Sequence, residues 1–227
     1  MELNRVVDVD GEVPIRRAIV SVSEKKGLKE FILSLLEVCP EVVIYSTGGT
    51  YTAIESYLGV GQALKHLRRI TEYTGQPEMQ GGLVKTLDYR IYLGLLSETY
   101  NESHRSDLRR MQVDPFDLVV VNLYPFQEAV SRKGATVEDG RTHIDIGGPT
   151  LLRSGAKNFL RVATLCDPED YPEFLAVLRK NGGCTTLRDR FRWAKKVFKL
   201  TASYDAAISR FLDTLAEDSL EEVYTIH

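Results

Sequence analysis

Asp117-Leu118-Val119-Val120-Val121, followed by Asn122-Leu123-Tyr124-Pro125, is the stretch that decides the fold. A short, uninterrupted apolar and β-branched run bounded by polar and turn-forming residues reads as a buried strand. Working outward, Ala18-Ile19-Val20-Ser21-Val22 and Val42-Val43-Ile44-Tyr45-Ser46 have the same character, Val162 to Leu165 is a further strand, and another is expected near Leu67 to Ile70. Between them lie helical stretches: Leu28 to Val38, with Leu28, Phe31, Ile32 and Leu35 on one face, then Thr50 to Leu58, Pro125 to Val130 and Pro149 to Ala156. Tyr73 to Gly82, rich in Gly and Pro, is expected as a long loop. From Asp170 onward the chain reads as largely helical, with Leu187 to Leu212 forming one or two helices and Gly182-Gly183 ending the one before. Strands alternating with helices imply an α/β fold, a parallel sheet flanked by helices with a helical C-terminal region.

Composition narrows the class. A chain of 227 residues with 43% hydrophobic and 27% charged residues can bury a sizeable core in water. A net charge of −3 and a pI near 5.9 argue against a nucleic-acid binder, which needs a basic face. Cys39, Cys166 and Cys184 are scattered and odd in number, which suits reduced thiols, and the four histidines show no metal-ligand spacing. No apolar run approaches the ~20 residues of a membrane span, and the acidic, polar start is unlike a signal peptide. A cytoplasmic protein is expected.

Ligands of parallel α/β sheets bind beyond the carboxyl ends of the strands, and the chemistry-bearing segments fall there. Ser21-Val22-Ser23-Glu24-Lys25 follows the first strand and Ser46-Thr47-Gly48-Gly49-Thr50 the second; together they offer hydroxyls, backbone N–H groups and a cation to a phosphate or similar anion. Each also has a structural reading, Ser23 as a helix cap and Thr50 as the cap of a tight strand-to-helix turn. Ile144-Asp145-Ile146-Gly147-Gly148-Pro149-Thr150 places a carboxylate just before a double glycine whose N–H groups can approach a ligand. Pro149 suits the first helical position, and Lys157-Asn158 stands near that helix's far end. His143 adjoins this motif, as a site or surface residue.

These segments, with Thr74-Gly75-x-Pro77-Glu78-Met79, Val84-Lys85-Thr86-Leu87, Asn122-Leu123-Tyr124-Pro125-Phe126, Ala156-Lys157-Asn158 and Thr201-Ala202-Ser203-Tyr204-Asp205-Ala206-Ala207-Ile208, occur in the order seen in a known family. The chain resembles the inosine monophosphate cyclohydrolase domain, usually the N-terminal half of the bifunctional purine-biosynthesis enzyme, from about Arg17 to about Leu212. The resemblance implies a methylglyoxal synthase-like fold, with residues 1–16 as an N-terminal extension, 17–213 as the cyclohydrolase domain and 214–227 as a tail. It also implies closure of the purine ring: the carboxamide nitrogen of a formamidoimidazole-carboxamide ribotide attacks the formyl carbon and water leaves, without metal or organic cofactor.

By that resemblance, Ser23, Lys25, Thr47, Gly48, Gly49 and Thr50 anchor the ribose phosphate with Thr86 nearby. Asn122 and the backbone at Ile146 meet the heterocycle, and Gly147 and Gly148 also bind the substrate. Asp145 orients and helps deprotonate the amide, Lys157 stabilises the oxyanion, and Lys85 and Tyr124 complete a proton relay. The implied partners are a small ribonucleotide, a second copy in a homodimer and a separately encoded formyltransferase. Three departures stand out: Leu83 where the family carries arginine, Asp88-Tyr89 where it carries His-Pro, and Phe159 where it carries histidine. The alternatives are a catalytically silent nucleotide-phosphate sensor of the same fold and, below it, methylglyoxal synthase, which has no use for the Asn-Leu-Tyr-Pro-Phe and Ile-Asp-Ile-Gly-Gly segments.

Overall fold

The computed structural model describes residues 5–76 and 86–226. Strand β1 (Glu12–Pro14) is followed by β2 (Arg17–Val22), α1 (Leu28–Val38), β3 (Val43–Ser46), α2 (Gly48–His66), β4 (Leu67–Arg69) and α3 (Ile70–Thr74). Next come α4 (Tyr89–Leu96), α5 (Glu102–Met111), β5 (Leu118–Asn122), α6 (Phe126–Val130), α7 (Val137–His143), α8 (Gly147–Lys157) and β6 (Ala163–Leu165). The chain ends through α9 (Tyr171–Lys180), β7 (Cys184–Thr186), α10 (Leu187–Asp213) and α11 (Ser219–Val223).

Five strands form one parallel sheet in the order β4-β3-β2-β5-β6. Period-two alternation divides the core. Ala18, Val20, Leu118 and Val120 face one apolar cluster, with Phe31, Ile32, Ile54 and Phe174 of α1, α2 and α9. Ile19, Val119 and Val121 face the other, with Ile91, Leu151, Leu152, Ala194 and Val197 of α4, α8 and α10. Both faces of the sheet are therefore covered, which is why its strands carry near-continuous apolar runs. On α1 the buried residues are Leu28, Phe31, Ile32 and Leu35, the face expected from the sequence.

Several expectations are corrected. Helix α2 runs past Leu58 to His66 across a kink at Gly59, whose φ of 69° and ψ of 169° are open to glycine alone. The expected loop from Tyr73 begins with the last residues of α3, and residues 77–82 lie outside the described residues. Leu187 to Leu212 lies in one helix. Helices α4, α5 and α7 and the antiparallel pair β1·β7 were not anticipated. The pair ties residues 12–14 of the expected N-terminal extension to the body of the fold. Three-residue strands at a ribbon edge carry too little periodicity to be read from sequence.

A buried arginine fastens the opposite end of the sheet from the strand tips. Arg161 donates to the carbonyls of Gly94 and Phe116 at 2.6 Å each and to Asp117 Oδ1 at 3.2 Å. Asp117 Oδ2 accepts the N–H groups of Arg16 and Arg17 at 3.0 Å each. Burial raises the Asp117 carboxyl, and the Arg161 guanidinium opposes that shift. Removing one partner of such a pair leaves the other charged and dry, a loss of about 3–5 kcal/mol. Arg161→Leu is expected to lower the unfolding free energy in urea by about that amount, and a change under about 1 kcal/mol would show that the pair contributes little.

Candidate functional site

The parallel register brings the carboxyl ends of β2, β3 and β5 side by side, since Val22 pairs with Asn122 and Val20 with Ser46. Hydroxyls then stitch the ends together. Ser46 Oγ donates to the Val20 carbonyl at 2.7 Å, and the Ser21 and Thr47 hydroxyls share a hydrogen at 2.9 Å. Thr50 Oγ1 accepts from Val22 N at 3.1 Å and donates to the Val22 carbonyl at 3.0 Å. Thr50 is thus no cap; the helix starts at Gly48, whose φ of 38° makes the turn. Ser23 caps nothing either, because Gly27, in the left-handed region, precedes α1.

Asn122 holds the Ser23-Glu24 turn. Its Oδ1 accepts Ser23 N at 2.6 Å and Glu24 N at 3.0 Å, while Nδ2 donates to the Glu24 carbonyl at 2.8 Å. The amide expected to meet a heterocycle is engaged with the chain itself. Lys25, exposed, reaches back to the Ser23 carbonyl at 3.4 Å.

Asp145 lies between α7 and α8. Helix α8 begins at Gly147, so Pro149 sits two residues into the first turn rather than opening it. Asp145 Oδ1 accepts Gly148 N at 2.8 Å, one of the N–H groups a helix start leaves without an intrahelical partner. Tyr124 N also donates to this carboxylate, yet burial dominates and pushes its pKa up. The double glycine is a matter of space. A Cβ at Gly147 would come within 2.6 Å of Thr86 Oγ1, and one at Gly148 within 2.5 Å of Asp145 Oδ2 and 2.8 Å of Leu123.

These pieces line one cavity of about 610 Å³. Its wall includes Ser23, Lys25, Thr47, Gly49, Thr50, Thr86, Asn122, Tyr124, Asp145, Ile146, Gly147 and Gly148. Gly48 serves its turn without lining the wall. Ser21, Leu87, Thr142, His143, Ile144 and Leu151 also contribute; Ser21 stands at a strand end in a polar run, His143 beside the motif, and Leu87 and Ile144 within motifs, while Thr142 and Leu151 carried no sequence signal for the site. His143 Nδ1 lies 2.7 Å from the Asp139 carbonyl, a contact that fixes the proton on Nδ1 in the neutral ring. Tyr124 and Ile146 are each 57% exposed at the cavity, open to a ligand.

Of the two expected catalytic lysines, Lys157 is not brought there. Lys85 lies outside the described residues. Lys157 is exposed at the last position of α8 and does not line the cavity, because a helix rising 1.5 Å per residue carries it about 15 Å from Gly147. Its neighbour Asn158 is structural, donating to the carbonyls of Leu95 at 2.7 Å and Ser97 at 2.9 Å. Two departures from the family pattern also have local partners. Asp88 caps α4 through Arg90 N at 2.8 Å and accepts Gln76 Nε2 at 3.0 Å, and Phe159 packs on Phe191 with ring centroids 5.0 Å apart. Leu83 lies outside the described residues. Burial pushes the Cys166 thiol up to about 12, in keeping with a core residue rather than a nucleophile. Among the described residues no helix is long and apolar enough to cross a membrane.

Comparison with known proteins follows the same outline. Residues 27–150 match the family described as MGS-like domain, and residues 155–227 the family described as AICARFT/IMPCHase bienzyme. The bifunctional purine biosynthesis protein PurH of Trichormus variabilis is 42% identical over 205 residues, 90% of this chain and 39% of that protein. PurH of Bacillus mycoides is 44% identical over 209 residues, 92% of this chain and 39% of its own length. The chain therefore spans about two-fifths of the length of these relatives. The crystal structure of ForH superposes with a TM-score of 0.76 at 30% identity, over 87% of this chain and 97% of that one. With the sheet, the glycine-rich strand ends and the Asp145 turn in place, the chain belongs to the MGS-like domain family and is the counterpart of the inosine monophosphate cyclohydrolase part of the bifunctional PurH proteins.

Proposed function

We propose that the cavity closes the purine ring, converting 5-formamidoimidazole-4-carboxamide ribotide to inosine monophosphate in purine biosynthesis. One observation carries this reading: a set of anion-holding strand ends and a half-buried carboxylate share a single cavity. The N-terminus of α2, Ser23, the Thr47 hydroxyl and Lys25 supply the donors a sugar phosphate needs. Binding energy spent there holds the carboxamide against the formyl group, and orientation is the largest lever available to an intramolecular reaction.

The chemistry then needs one proton acceptor and a source of oxyanion stabilisation. As the carboxamide nitrogen bonds to the formyl carbon, it loses one proton and the formyl oxygen takes one up to become a hydroxyl; the C=N bond then forms to the formamido nitrogen, whose N–H proton leaves with that hydroxyl as water. The Asp145 carboxylate has oxygen lone pairs beyond its two N–H donors and can accept the amide proton. Tyr124, exposed at the cavity, is the proposed donor toward the formyl oxygen. The formylated substrate comes from a formyltransferase activity, and a homodimer is the proposed assembly.

The sensor reading is favoured by one observation: Lys157 stands off the cavity, so phosphate binding is the better furnished half of the site. Turnover decides between the two. Purified protein without added metal is expected to produce the ultraviolet change of ring closure; tight binding of inosine monophosphate with no turnover would establish the sensor. Because burial raises the Asp145 carboxyl and the ionised form is the working one, activity should fall as pH drops through a value above the ordinary ~3.9 of aspartate. Asp145→Asn should remove most of kcat; an acid limb that stays below ~3.9, or an unaffected Asp145→Asn, would exclude Asp145 as the acceptor. Gly148→Ala drives a methyl into the same carboxylate and is expected to cost about 1–3 kcal/mol of stability in urea unfolding together with activity; a wild-type result on both counts would show that the close approach is unimportant.

A further inference from the structure

We propose that Tyr204 is a positioning residue for Asp145, holding the main chain that leads into it, across Ile144, through one hydroxyl. The proposal rests on the ring-closing reading of the cavity. Tyr204 Oη accepts Asp145 N at 2.8 Å and donates to the His143 carbonyl at 3.2 Å. The chain leaves α7 at His143 and starts α8 at Gly147, so three residues make the whole connection. Those two backbone groups lie outside either helix's own ladder, and a single phenol satisfies both.

The phenol itself is held firmly. Tyr204 is 8% exposed and belongs to a small cluster with Phe126 and Ala207, against which Leu123, Ile144, Ile208 and Phe211 pack. Its ring meets Phe126 edge-on with centroids 6.1 Å apart, and Phe126 meets Phe211 at 5.8 Å. Helix α7 sits so close to α10 that a Cβ on Gly140 would overlap the Phe211 ring. Helix α10 in turn packs on the sheet through Ala194 and Val197. The turn bearing Asp145 is therefore referred to the core through Tyr204, while Gly148 N and Tyr124 N aim the carboxylate.

Tyr204→Phe keeps the ring and removes the hydroxyl. With the turn loosened, the carboxylate loses its N–H donors, its ionised form is less favoured, and the acid limb of the rate profile moves to higher pH. Lys25, His143 and Tyr124 share the cavity with Asp145, and Asp205 lies beside Tyr204; none is altered by the substitution. The expected result is a kcat on the order of 10–100-fold lower, with KM within about threefold and the acid limb shifted up. A merely structural tyrosine would lower the melting temperature while leaving kcat per folded molecule and the limb where they were, and that result overturns the proposal. If wild-type protein closes no ring, the activity reading fails, and hydrogen exchange at the Asp145 amide decides this proposal instead. Exchange at least about tenfold faster in Tyr204→Phe, with Val119 in β5 unchanged, supports it; unchanged exchange at Asp145 overturns it.

Discussion

The double-sided parallel pairing of β2 is the constraint on which the rest of the structure depends. Arg17–Val22 hydrogen-bonds to β3 on one edge and β5 on the other, so three strand ends that are distant in sequence finish side by side, within two residues of one another. The hydroxyls of Ser21, Ser23, Thr47 and Thr50, with Lys25 and Asn122, hang from those ends. The Ser23-Lys25 turn is held by Asn122 from the neighbouring strand, and the α2 start is held by Thr50 against the end of β2. A slip of one residue in this pairing would turn Ile19 and Val119 toward the wrong core and unseat both ties at once. The apolar sandwich and the ligand-facing rim are thus fixed by the same register.

The site uses several of its polar groups twice. Asp145 both satisfies the start of α8 and supplies the only carboxylate lining the larger cavity among the described residues. A carboxylate held by two N–H donors would ordinarily titrate low, but burial wins and moves it the other way. That balance suits a proton acceptor that must not be too weak a base. Asn122 shows the opposite economy: its amide is taken up by backbone, so its contribution to a ligand is the shape of the turn it holds.

Much of this was legible in the sequence where one residue type had one physical use. The apolar runs at Ala18–Val22 and Asp117–Val121 announced strands buried on both faces, and Leu28, Phe31, Ile32 and Leu35 announced the inner face of α1. The glycines and hydroxyls after the strands announced an anion cradle, and Ser23, Thr47, Gly49 and Thr50 meet the Asp145 turn in one cavity. What stayed hidden depends on distance through space. Nothing near Arg161 in sequence shows that it will cap carbonyls at Gly94 and Phe116, and nothing near Tyr204 shows that it will reach residue 145. Lys157 shows the converse: a motif in register with a family says which residues recur, while the rise of α8 decides how far apart they stand.

On the proposed reading, the strand ends and the Asp145 turn grip one nucleotide between them. Soaking crystals with inosine monophosphate and locating it by diffraction tests that most directly. The phosphate is expected against Ser23, Lys25 and the N–H groups at the start of α2, with the purine ring lying over Ile146 and within hydrogen-bonding distance of Asp145. A nucleotide whose phosphate sits elsewhere, or whose ring lies across the smaller neighbouring cavity lined by Gln127, Asp167 and Ser203, would contradict it.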